Sequence, residues 1–124
     1  MVPVSFAPPH FELWEESVDE RTHVISVRGE LHVSTAPEFA QRLEAAISGG
    51  KTAVVIDLCE VQFMDSTGLG VLLSGLRNVT RRQGHLALAC ANPTVLRLFE
   101  ITRLSETFDI VATRAQALRR VRPA

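Results

Sequence analysis

The sequence is poor in the residues from which most dedicated chemical sites are built. It has two cysteines, Cys59 and Cys90, four histidines, one tryptophan and no tyrosine. The two cysteines each end an apolar run and have no Cys or His near them in sequence. They are expected to be small buried hydrophobes in a reducing compartment, neither bridged nor metal-bound. His10, His23, His32 and His85 show no mutual spacing that implies a triad or a metal site. There is no basic run, the formal net charge is -1, and few aromatics are available for stacking, which argues against nucleic acid. No apolar run approaches the ~20 residues that span a bilayer. The N-terminus lacks the basic and apolar regions of a secretory signal. A cytoplasmic protein without a membrane partner is expected. Repeats, low-complexity blocks and internal linkers are also missing.

What remains is an evenly punctuated chain of 124 residues, the size of one domain with a core of its own. Pro3, Pro8 and Pro9 mark residues 1–10 as an extended, flexible lead-in, and residues 11–122 as the domain. Strands are predicted over 10–16, with Phe11 and Leu13, and over 23–28, with Val24, Ile25 and Val27. The short polar turn between them makes the pair antiparallel. Gly29 is read as the end of the second strand. Thr35 and Glu38 predict a capping box for a helix over 36–48, stopped by Gly49 and Gly50. The continuous apolar run 52–58 reads as a strand covered on both faces. A second helix over about 67–83 has a stripe of Leu69, Leu72, Leu73, Leu76 and Val79, with Gly84 as its C-cap. A strand over 85–90, a short helix over 94–101, a strand over 108–111 and a helix over 114–121 complete the order. This β-β-α-β-α-β-α-β-α order predicts an α/β fold: a mixed, mostly parallel sheet with an N-terminal antiparallel edge strand and about four helices.

The most informative stretch is Phe63-Met64-Asp65-Ser66-Thr67-Gly68-Leu69-Gly70, between the buried strand and the second helix. Ser66 falls at the N-cap of that helix or one residue from it, where N–H groups point outward and the dipole favours an anion. A simple capping role for Asp65 or Ser66 accounts for the same pattern. Gly68, Gly70 and Gly75 lie within the helix, each at a cost of up to ~1 kcal/mol against Ala, so close approach by the sheet or by a partner is expected there. Gly70, Ser74, Arg77 and Arg81 extend one side from Ser66, away from the leucine stripe, as a smooth and then cationic docking surface. The four arginines 114, 119, 120 and 122 read as a solvated face with favourable charge at a helix C-terminus, or as a patch for an acidic partner.

Catalytic readings find little support. The elbow G-x-S-x-G is absent, since Met64 precedes Ser66 by two, and there is no phosphate-cradling loop. Asp57 and Asp65 are the one acid pair near the loop. They could hold Mg²⁺ for phosphoryl transfer only with further oxygen ligands. No metal or cofactor is indicated.

At these residues the chain resembles the STAS domain, specifically the anti-sigma factor antagonist family of bacteria, from about Phe11 to Val121. The resemblance rests on Val27-Arg28-Gly29-Glu30-Leu31, Thr35-Ala36, the V-V-I-D-L of 54–58, the F-M-D-S-T-G-L-G of 63–70, and Arg97-Leu98-Phe99. It implies a regulator that, unphosphorylated, binds an anti-sigma factor, itself a serine kinase of the histidine-kinase-like ATPase fold, and so frees the sigma factor. The kinase would switch it off by phosphorylating Ser66, with Thr67 the second candidate, and a serine phosphatase would restore it. Partner contacts are implied around Asp65, Thr67, Gly68, Gly70, Ser74, Arg77, Glu30 and His32. Position 32 is often acidic in the family, and here it is histidine. The alternative is a STAS-type structural or scaffold subunit of a larger assembly in which Ser66 is only a cap.

Overall fold

The computed structural model describes residues 10–122. The proposed lead-in lies, except for His10, outside the described residues. The elements run β1 (Phe11–Ser17), β2 (Thr22–Leu31), α1 (Ala36–Ser48), β3 (Ala53–Met64), α2 (Ser66–Arg81), β4 (His85–Ala89), α3 (Pro93–Ile101), β5 (Asp109–Val111) and α4 (Arg114–Val121). The five strands form one sheet in the order β1-β2-β3-β4-β5. β1 is antiparallel to β2, and the other neighbours are parallel. This is the α/β class, the mixed sheet and the antiparallel edge that the sequence predicts.

Strand alternation sorts the core onto two faces of unequal depth. Ile25, Val27, Val54, Ile56, Leu58, Leu86 and Leu88 join Phe39, Leu43, Leu72 and Phe99 in one large cluster beneath α1, α2 and α3. The opposite face carries Val24, Ala53, Val55, Ala87 and Ala89, and packs on Ala117 and Val121 of α4. The small residues there suit the close approach of a single short helix. Consecutive parallel strands joined in one direction by right-handed crossovers place their connecting helices on one side, which leaves only the last helix for the other.

Several local expectations are corrected by the fold. Gly29 does not end β2. It sits at an irregularity of the strand at φ 96°, where a Cβ would run into the carbonyl of His10, and pairing with β3 resumes at Glu30 and Leu31 after register shifts. β3 likewise runs past Leu58 to Met64, through residues whose burial is irregular. Thr35 precedes α1 without a side-chain cap, so the capping box with Glu38 does not form. Its hydroxyl instead donates to the Glu30 carbonyl at 2.8 Å and accepts from the His32 N–H at 3.0 Å, bracing the β2–α1 loop. The left-handed residue after α2 is Gln83, at φ 61°, rather than Gly84. Gly84 is needed for another reason: a Cβ there would meet the Thr52 carbonyl. Cys90 is buried as expected, but Cys59 is exposed. The Cys59 thiol lies 3.6 Å from the Ala112 carbonyl. Partial burial, then the Asp57 carboxylate beside it, push that thiol up to about 12, so it stays protonated and a weak nucleophile. Three of the four C-terminal arginines are tied to the body of the fold: Arg114 to Glu16, Arg120 to Asp109 and Arg122 to Asp19.

Candidate functional site: the β3–α2 loop and the outer side of α2

The site forms where two loops leave the sheet side by side. β2 and β3 end in register, Leu31 opposite Met64, and the Asp65 N–H donates to the Leu31 carbonyl at 3.2 Å. The chain then turns into α2 with Asp65 as N-cap, in extended conformation. One Asp65 carboxylate oxygen accepts from the N–H of Thr67 at 2.9 Å and of Gly68 at 3.4 Å. Two of the donors that a helix leaves unsatisfied at its start are thereby used. Ser66 is the first residue of the helix, exposed, and relieved of the capping role by its neighbour.

The β2–α1 loop forms the other wall. The His32 ring stands 6.3 Å from Phe63, centroid to centroid, at a tilted angle. Its Nδ1 accepts from the Ser34 N–H at 3.2 Å, which makes Nε2 the protonated nitrogen of the neutral ring. Phe63 is 47% exposed and Val33 68% exposed. Both are apolar side chains presented to solvent, Phe63 near the end of β3 and Val33 in the β2–α1 loop, and neither was singled out as a contact residue from the sequence. The available signal was an aromatic residue on the outward phase of a strand immediately before the Asp65-Ser66-Thr67-Gly68 segment. Glu30 and His32 are half-buried.

Along α2 the expected division of sides holds, with two corrections. Ser66, Gly70, Ser74, Arg77 and Arg81 are all exposed, as is Thr67. Leu69, Leu72 and Val79 are buried, whereas Leu73 and Leu76 are only half-buried at the margin of the cluster. Gly68, expected among the partner contacts, is buried. A Cβ there would lie 2.8 Å from Met64 Cγ and 3.0 Å from Leu31 Cγ. It is the fold, through Leu31 and Met64, that approaches this glycine.

The two aspartates do not converge as a metal pair. Asp65 is committed to the helix N-terminus, and Asp57, inside β3, accepts from the Cys59 N–H at 3.0 Å. Among the described residues there is no cluster of three or more His, Cys, Asp or Glu that could hold a metal ion. No helix among them is long and apolar enough to cross a membrane.

Comparison with known proteins matches residues 14–117 to the STAS domain family. The anti-sigma-B factor antagonist of Listeria monocytogenes is 41% identical over 86 residues, covering 69% of this chain and 75% of that protein. The crystal structure of an anti-sigma factor antagonist from Mycobacterium paratuberculosis superposes with a TM-score of 0.85 at 32% identity, covering 94% of this chain and 98% of that one. The Bacillus cell fate determinant SpoIIAA, in its phosphorylated form, superposes with a TM-score of 0.69 at 29% identity, over 90% and 99% of the two chains. The chain belongs with these relatives to the STAS-domain family of anti-sigma factor antagonists.

Proposed function

We propose that this chain binds an anti-sigma factor while Ser66 is unmodified and releases it when Ser66 carries phosphate. The observation that carries the reading is Ser66 itself: an exposed hydroxyl on the first residue of α2, freed from capping by Asp65. A serine needed as a cap could not be modified without cost to the helix, and Asp65 removes that conflict. The relative SpoIIAA, described in a phosphorylated form, supports a phospho-switch in the family. Phosphate brings about -1.5 to -2 charges and three acceptor oxygens. At a helix N-terminus the dipole offsets such charge by roughly 0.3–1 kcal/mol. The same charge beside a partner's acidic groups, or beside the phosphates of a bound nucleotide, repels. The fold then survives a modification that its complex does not.

In this reading the partner is also the kinase, of the histidine-kinase-like ATPase fold, and a serine phosphatase resets the switch. Asp65, Thr67, Gly70, Ser74 and Arg77 of the α2 side and Glu30 and His32 of the neighbouring loop make the contact. The protein acts in the cytoplasm as a binding protein, and one carboxylate oxygen of each of Asp57 and Asp65 is engaged by backbone N–H groups.

The test is a pull-down with and without ATP, with mass spectrometry of the bound protein and of the Ser66 peptide. An ATPase-fold anti-sigma factor and a single phosphate on Ser66 are expected, and Ser66→Ala should fold, bind and resist modification. Phosphate on Thr67 alone would move the acceptor. A stable assembly unaffected by ATP would favour the scaffold reading.

A further inference from the structure

The face of the sheet that carries α4 is only partly covered. α4 packs on β3, β4 and β5, and β2 and β3 run on past Ala89 and Val111, the last residues that β4 and β5 pair. In β1, Phe11 and Leu13 turn to the large cluster, so alternation sends Glu12, Trp14 and Glu16 to the α4 side. Trp14, the one tryptophan of the chain, is 48% exposed there. The Arg28 guanidinium lies 4.9 Å from the centre of its ring. One hollow of about 350 Å³ runs from Trp14 across Ser26 and Asp57 to Arg114 at the start of α4. A second, of about 280 Å³, is lined by His10, Gln62 and Asn92. Arg28, Cys59 and Glu60 border both, which makes the two one shallow groove across β1, β2 and β3.

The groove has little charge left to offer an occupant. Arg28 is paired with Glu60 and Arg114 with Glu16, and one Asp57 oxygen accepts from the Cys59 N–H. An uncharged segment with apolar side chains matches it, and the chain supplies one at the groove's edge. His10 borders the groove. The nine residues before it, MVPVSFAPP, lie outside the described residues and carry no ionisable side chain. Nine extended residues reach about 30 Å, whereas the strand from His10 to Trp14 is about 13 Å long. The segment has length enough to turn at Pro8-Pro9 and lay Val2, Val4 and Phe6 along the groove. Its three prolines favour the polyproline form, which docks on aromatic side chains at low cost in entropy. A tether this short also raises its local concentration into the millimolar range.

We infer that residues 1–9 fold back over the α4 side of the sheet, with Val4 and Phe6 covering Trp14 and the Arg28–Glu60 pair. The contact is independent of the partner reading above. α2 packs on the opposite side of the sheet, so the cover leaves Ser66 accessible while it braces the strands whose ends carry the Ser66 and His32 loops.

Trp14 reports on this directly, because no other tryptophan contributes to the fluorescence. The experiment measures acrylamide quenching of full-length wild type and of Val4→Asp/Phe6→Asp over a range of chain concentrations, with a thermal melt of each. The quenching constant should rise about twofold or more in the variant, as a covered ring returns to solvent, while the melting temperature falls by no more than a few degrees. Phe6→Ala, which adds no charge, should raise quenching by a smaller factor, and it decides the matter if the double variant loses its fold. In the wild type, nuclear Overhauser contacts should join the Trp14 indole to residues 2–6. Equal quenching of wild type and both variants at every concentration would overturn the inference. Quenching that falls with rising concentration alike in wild type and variants would place a second copy on this face, and would overturn it too.

Discussion

The two sides of α2 obey different rules, although one stretch of sixteen residues supplies both. On the inner side every position is explained by the chain itself. Leu69, Leu72 and Val79 fill the core beneath the helix, and Gly68 and Gly75 are small because Met64, Leu31 and Leu43 occupy the space a side chain would need. On the outer side Ser66, Gly70, Ser74, Arg77 and Arg81 touch little that would fix their identity. The same residue type therefore means different things a few positions apart: glycine is obligatory at 75 for packing and dispensable to the fold at 70. A helix whose inner side is determined by folding and whose outer side is not is one in which binding is free to choose the outer residues.

Stability measurements on α2 variants can break this comparison. The largest effect should come from Leu72→Ala, which truncates a fully buried side chain and should cost about 2–5 kcal/mol by chemical denaturation. A loss below about 1 kcal/mol would mean the inner side is less tightly determined than its burial implies. Gly75→Val should follow, at about 1–3 kcal/mol, through overpacking against Leu43. Asp65→Ala should cost about 1 kcal/mol by leaving the Thr67 and Gly68 N–H groups without their acceptor. The smallest change carries the opposite sign: Gly70→Ala should raise stability by up to about 1 kcal/mol, because a better helix former enters open space. A destabilised Gly70→Ala would erase the distinction between the two sides.

The sequence was most readable where one signal acted alone. Apolar runs bounded by turns located the five strands, Gly49 and Gly50 mark the end of α1, and Thr113 caps α4, where the fold completes a capping box with Gln116. Misreadings arose where tertiary contacts overrode local preference. Thr35 has the pattern of a capping residue, yet its hydroxyl is taken by the Glu30 carbonyl, a partner that only the β2–α1 turn brings near. Gly29 and Gly84 both look like stops, but both answer to a carbonyl from a neighbouring segment, His10 in one case and Thr52 in the other. Leu73 shares the spacing of the stripe, but it falls at the edge of the arc occupied by the buried Leu69, Leu72, Gly75 and Val79 and is only half-buried.

The site was legible in a similar degree. Ser66 and the exposed α2 residues follow from helical spacing and from the D-S-T-G-L-G motif. The hollow between α1 and α2 does not, because Ala40 and Leu43 come to line it with Gly70 only once α1 and α2 lie side by side on the sheet. Phe63 and Val33 were missed because an outward apolar residue is common on any surface. Their meaning comes from sitting with His32 beside the loop that carries Ser66.

The account stands or falls on whether phosphate at Ser66 separates binding from folding. Chain phosphorylated stoichiometrically at Ser66 should be compared with unmodified chain in one titration against its anti-sigma factor and one thermal melt. The account predicts that affinity falls by about a hundredfold or more, as expected for a buried charge left unpaired at an interface, while the melting temperature moves by no more than a few degrees. Equal affinity for the two forms, or a loss of binding that tracks loss of the folded state, would contradict it.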